Sequence, residues 1–143
     1  MIPNIIRDGV TFTFNDGDVS EIRTRIATEL DYDAMPSSLA LYSLLYDFNG
    51  VTKIITLSGG LTNTGSNRLT VGSAITIDEQ RKYIESCLDG LQSTAIFRSN
   101  YTSSYNGSDF EDSPIMFSTI EFNERTNEPN ILFFTITLFV GGY

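Results

Sequence analysis

Residues 39–58, LALYSLLYDFNGVTKIITLS, set two runs rich in apolar, β-branched and aromatic residues either side of Asn49-Gly50. Before that dipeptide, Leu44, Tyr46 and Phe48 alternate with Leu45 and Asp47; after it, Val51, Ile55 and Leu57 alternate with Thr52, Ile54 and Thr56. Alternation sends successive side chains to opposite faces of an extended chain, and Asn-Gly accepts the positive φ of a two-residue type I′ turn. The stretch therefore predicts a long antiparallel hairpin turning at Asn49-Gly50, and it commits the chain to antiparallel β-structure.

The same period recurs on both sides of it. Residues 10–14, VTFTF, read as a strand closed by the turn cluster Asn15-Asp16-Gly17-Asp18. From Val19, Ile22, Ile26 and Leu30 share a face with Thr24 and Thr28, while Glu21, Arg23, Arg25 and Glu29 share the other. The four-residue spacing of Ile22, Ile26 and Leu30 would also suit a helix, but the clean period-two separation of the charges favours a strand. Residues 94–101 and 114–122 predict two more strands, separated by the polar, turn-rich segment 102–112. In the last strand, 131–140, Leu132, Phe134, Ile136, Leu138 and Val140 make one unbroken apolar face. Ile131, Phe133 and Phe139 make the opposite face partly apolar, which fits a strand in the middle of a sheet or covered on both sides.

One segment breaks the β pattern. Thr76 with Glu79 three residues on is a capping box, and Asp78 and Glu79 sit where the positive end of a helix dipole favours acids. A helix over 77–91 would gather Ile77, Ile84, Cys87, Leu88 and Leu91 on one stripe and turn Glu79, Lys82, Glu85 and Ser86 outward, with Gly90 fraying its end. The elements predict a β-rich α+β fold: an antiparallel β-sandwich or split barrel with one packed amphipathic helix. The length of 143 residues suits a single domain spanning 1–143.

Chemistry is mostly excluded. There is no histidine, which removes the commonest general base and imidazole metal sites. The single cysteine, Cys87, rules out an intrachain disulfide and lies on the apolar stripe, so it reads as an inert buried thiol. Asp16, Asp18 and Ser20 have the start of a calcium-loop spacing, but Glu21 and Ala27 stand where glycine and glutamate are needed. Gly60 to Ser66 imitates a phosphate loop with serine in place of lysine. Asp31 with Asp33, and Glu111 with Asp112, read as solvated loop acids, and Tyr101, Tyr105 and Phe110 as loop aromatics that pack on their own domain or a partner. No catalytic, cofactor-binding or metal residue is predicted. Nine Lys/Arg against eighteen Asp/Glu give a formal charge of −9, with the basic residues scattered, which disfavours adhesion to nucleic-acid phosphates. The longest apolar run, about ten residues, is too short for a membrane helix.

The order of elements is informative: a hairpin ending in GVTKIITLSG, a polar loop, the helix IDEQRKYIESCLDGLQ, a strand, a polar loop, and a final hairpin closing on FFTITLFVGG. Over residues 40–143 this resembles the split-barrel proteins of long-tailed bacteriophage tails: tail-tube subunits, distal-tail proteins and baseplate adaptors. The resemblance implies a non-enzymatic virion protein without cofactors, assembled in the host cytoplasm. It would self-associate, edge to edge, into a ring, most often a hexamer, around a DNA channel. Its partners would be other tail or baseplate proteins, with no sequence-specific nucleic-acid binding and no membrane. Residues 1–38 match less clearly and are expected as part of the barrel or as an N-terminal strand or arm. Residues 59–75 hold four glycines and, as sizeable apolar groups, Leu61, Leu69 and Val71. The resemblance makes them a long loop lapping onto a neighbouring subunit through those three residues. The alternative is a monomeric β-sandwich module that binds carbohydrate through the aromatics of residues 101–110.

Overall fold

The computed structural model describes residues 3–34, 43–88, 90, 95–99 and 112–140. Seven strands and one helix follow in the order β1 (Asn4–Arg7), β2 (Val10–Thr13), β3 (Val19–Ala34), β4 (Ser43–Leu61), α1 (Ile77–Ser86), β5 (Ala95–Arg98), β6 (Asp112–Glu124) and β7 (Leu132–Val140). All seven strands join one antiparallel sheet in the order β2-β1-β5-β6-β7-β4-β3. The β-rich α+β class is as the sequence predicts. Residues 3–34 supply three of the strands.

Period two decides which face is the core. On β7, Leu132, Phe134, Ile136 and Leu138 are buried, and their cross-strand partners on β4 are Leu61, Gly59, Leu57 and Ile55. Ile115 and Phe117 on the neighbouring β6, and Ile5, Phe12, Phe14 and Phe97 from the far end of the sheet, join the same buried cluster. Phe14, next to edge strand β2, stacks on Phe134 of β7 with centroids 5.5 Å apart and rings 18° from parallel. Strands four positions apart in the sheet can share a core only if the sheet curls over it, as in a barrel left partly open.

Helix α1 helps to fill the opening. Thr76 caps it, its hydroxyl accepting from Glu79 N at 3.2 Å, and the Asn63 side chain accepts from Ile77 N at 2.9 Å. The Glu79 carboxylate accepts from the Ser73 and Thr76 hydroxyls, and these bonds, Ser73 foremost, hold it below the usual carboxylate range. Ile84 and Cys87 face the core, and Tyr83 stacks on Phe12 at 5.2 Å. The helix is shorter than predicted: it ends at Ser86 with Cys87 as its C-cap, so Leu88 is exposed, and residue 91 is outside the described residues. Gln80 takes a place on the inner stripe instead, fully buried, donating to Thr62 O at 2.8 Å and to Ile75 O.

The largest correction concerns Asn49-Gly50. The chain does not turn there. β4 runs through the dipeptide from Ser43 to Leu61, and its partner is β3, with Thr28 opposite Val51 and Leu30 opposite Asp47. Only residue 29 spans the gap that residues 48–50 span on β4, so the dipeptide sits in a bulge. Asn-Gly is permissive in a bulge for the same reason as in a turn, and the pairing partner decided between them.

Candidate functional site

No catalytic constellation assembles among the described residues. There, no three or more Cys, Asp or Glu side chains converge as metal ligands, and no helix is long and apolar enough to cross a membrane. Cys87 is buried against the core. Asp16 is exposed, whereas the Asp18 carboxylate turns inward to accept from Thr62 N at 3.0 Å and Thr62 Oγ1 at 2.7 Å. Burial pushes the Asp18 carboxyl above its ordinary range, and the Thr62 bonds and nearby Arg68 oppose that shift. The aromatics of 101–110 lie outside the described residues, and so does Glu111; Asp31, Asp33 and Asp112 lie in β3 and β6.

The unusual surface is β3 and what it leaves open. β3 pairs with β4 on one side and with nothing described on the other. Residues 20–26 are exposed on both faces. Ile22 lies opposite Leu57 and Ile26 opposite Lys53, so they extend the core face beyond its cover; their exposures are 36% and 63%. β7 accompanies β4 only from Ile54 to Leu61, so residues 43–53 continue past the sheet with β3 as their only strand partner among the described residues. At about 3.3 Å per residue, that ribbon overhangs by about 35 Å. A two-stranded ribbon with no third element is marginal in water.

No described element covers the sheet face opposite the core. Three rows cross it from β3 to β6: Arg25, Ile54, Phe139, Met116; Arg23, Thr56, Thr137, Thr119; and Glu21, Ser58, Thr135, Glu121. Hydroxyls occupy the middle of these rows, whose two arginines balance their two glutamates. Arg23 also meets Glu21 at 3.2 Å, an exposed pair of small energetic weight. A hollow of about 630 Å³, lined in part by Ser58, Glu121 and Thr135, opens beside Phe133, whose ring carries the Arg125 guanidinium at 4.1 Å.

No family model matches the sequence, and no curated protein does. Solved structures do. A chain of the virion of a native gene transfer agent particle matches with a TM-score of 0.57 and 11% identity, over 99% of this chain and 92% of that one. A chain of the tail of an empty gene transfer agent particle, of C6 symmetry, matches with a TM-score of 0.55 and 10% identity, over 100% of this chain and 92% of that one. The fold is shared. Identity at this level carries no residue-by-residue correspondence, so the site rests on this chain's own geometry.

The three residues expected to reach a neighbour are placed differently from one another. Leu61 is fully buried at the end of β4, opposite Leu132, so it serves its own core. Leu69 packs on that core and bridges Phe12. Only Val71, 67% exposed, keeps a free side chain. The loop that carries them is ordered by polar groups, which apolar counting overlooked. The Asn67 carboxamide accepts from Leu69 N and Ala74 N and donates to Gly72 O, while Arg68 reaches the side chains of Asn15 and Thr64. The signal available in sequence was that run of Asn, Thr and Ser, residue types whose side chains fold backbone locally.

Proposed function

We propose that this chain is a non-enzymatic structural subunit of a phage-type tail, and that it builds a ring around the tail channel by adding the open edge of β3 to a neighbouring copy. One observation carries the reading: a 16-residue edge strand with uncovered apolar residues, continued by a ribbon that has no further strand partner among the described residues. Such an edge invites pairing, and soluble proteins that do not use one normally shorten, charge or cover it. Among the described residues, the β4 edge of the same ribbon has no second strand along residues 43–52, so one copy's β3 can meet another's β4 head to tail. A heterologous contact of that kind closes into a ring when its rotation divides a full turn. The likeness to a chain from a tail of C6 symmetry supports six copies.

The uncovered hydroxyl-bearing face then becomes the channel wall. Its balanced charge gives DNA phosphates no cluster of Lys/Arg to bind, which suits a conduit. Exposed Val71 adds a smaller contact between subunits. Ile26→Asp tests the reading, because its side chain is exposed and its loss should leave the fold intact. Light scattering after size exclusion should find the unaltered chain in rings and the variant as a folded monomer. Rings that persist in the variant, or an unaltered chain that stays monomeric at tens of micromolar, would defeat the proposal. Antibody labelling of intact particles should decorate the tail.

A further inference from the structure

The sheet has two edges, and the chain treats them in opposite ways. At β3 the edge pairs with nothing among the described residues. At β2 it is occupied by the chain's own loop: Thr13 N donates to Arg68 O at 3.0 Å, Thr70 N to Thr11 O at 3.2 Å, and Thr11 N to Thr70 Oγ1 at 3.0 Å. With Phe12 and Leu69 in an antiparallel bridge, residues 68–70 form a substitute eighth strand too short to be extended. What holds them in place is a chain of polar side chains: Asp18 accepts from Thr62, whose hydroxyl accepts from Asn15 Nδ2, while Asn15 Oδ1 accepts from Arg68. Arg68 Nε also donates to Thr64 Oγ1 at 3.2 Å, and Arg68 N to Ala74 O.

We infer that residues 62–76 are an edge guard: they keep β2 closed to the β3 strand of a second copy, so that association proceeds through β3 and the overhanging ribbon alone. Without the guard, each molecule would carry open edges at both ends of its sheet. β3 of one copy would then pair with β2 of the next, a heterologous contact that competes with the first and that nothing obliges to close. The guard is polar, so it can be loosened without emptying the core. This inference rests on the proposed self-association for its purpose, but not for its test.

The test uses Arg68→Ala in the full chain, read by hydrogen exchange and by sedimentation. Amides of Thr11 and Thr13 should exchange about tenfold faster, the factor for the loss of about one hydrogen bond, while Ile55 and Leu57 stay protected. The variant should also form open, concentration-dependent polymers of a kind the unaltered chain does not form. If Arg68→Ala strips protection from Ile55 and Leu57 too, Thr70→Val takes its place, since it removes only the hydroxyl that accepts from Thr11. Thr11 and Thr13 amides that stay protected would show that this cluster is not the fastening. Amides that open without any change in association would show that the edge needs no guard. A monomeric unaltered chain defeats the ring reading and leaves the guard to be judged on the variant's polymers alone.

Discussion

Gly59→Ala is the sharpest probe of how the curled sheet closes. A Cβ built at Gly59 would lie 1.9 Å from the carbonyl oxygen of Asp18 and 3.0 Å from Val19 Cα, both backbone atoms. That same oxygen accepts from Gly60 N at 2.9 Å, and the β3–β4 register shifts beside it, between Val19 and Glu21. Making room means moving the start of β3, at a strain of about 1–3 kcal/mol, and weakening a hydrogen bond of about 1 kcal/mol. The sum is about 2–4 kcal/mol. At about 2.1 cal/mol/K per residue, 143 residues have an unfolding entropy of about 0.3 kcal/mol/K, so Tm should fall by about 7–13 °C. Two relatives grade the effect. Gly60→Ala comes closest to the side-chain Cγ2 of Ile131, at 2.5 Å, which can move, and should cost less. Gly65→Ala meets nothing within 4 Å and should stay within about 0.5 kcal/mol. Thermal melts followed by circular dichroism order the three, and a Gly59→Ala shift no larger than that of Gly65→Ala would refute the reasoning.

Other outcomes follow from the core, the titrating groups and the surface. Ile84→Asp buries a charge on the inner face of α1 and should cost on the order of 3–5 kcal/mol, against less than about 0.5 for exposed Glu85→Ala; equal shifts in urea melts would show the helix faces are misassigned. Because the native Asp18 carboxyl titrates above its unfolded value, the stability it contributes is fully present below the unfolded pKa and lost as pH rises through the native one. The stability of the unaltered chain relative to Asp18→Asn should therefore rise as pH falls from 7 into the carboxylate range, and a relative fall would contradict the burial of that group. Duplex DNA should show no measurable affinity at physiological salt, and tight, salt-sensitive retention in a filter assay would overturn the neutral-wall reading.

Much of the fold was legible because one force wrote it. β7 alternates cleanly, since a half-buried strand must, and Thr76 with Glu79 marks the start of α1 because orphan amides there need an acceptor. What stayed hidden depends on partners distant in sequence. β1 is only Asn-Ile-Ile-Arg, and pairing with β2 and β5 makes it a strand. Asn49-Gly50 permits a turn or a bulge, and β3 settles the matter from twenty residues upstream. Gln80 looks like an outward residue until Thr62 O comes within reach of its amide. At the candidate site, the hydrophobic alternation of β3 could be read, but not that its second edge meets no other described strand. The order of the loop after β4 comes from side-chain hydrogen bonds, which hydropathy does not register.

The strand order also sets a timetable for synthesis. β4 follows β3 directly in the chain, but its other neighbour, the nine-residue β7, comes after all the other strands of the sheet. Until it emerges from the ribosome, residues 54–61 form a second bare margin, and the buried row Ile55, Leu57 and Leu61 faces water. During that interval any other copy with a free strand competes for the place of β7, and exchange of the terminal strand between molecules is the natural error. Tethering favours the chain's own strand, because a linked segment acts at an effective concentration of order millimolar. A chain stopped at residue 130 is therefore expected to associate irregularly in sedimentation, and a single well-defined species would count against this. Docking of β7 thus separates folding from assembly in time: the molecule is fit to join others in order only when the inner part of β4 is covered.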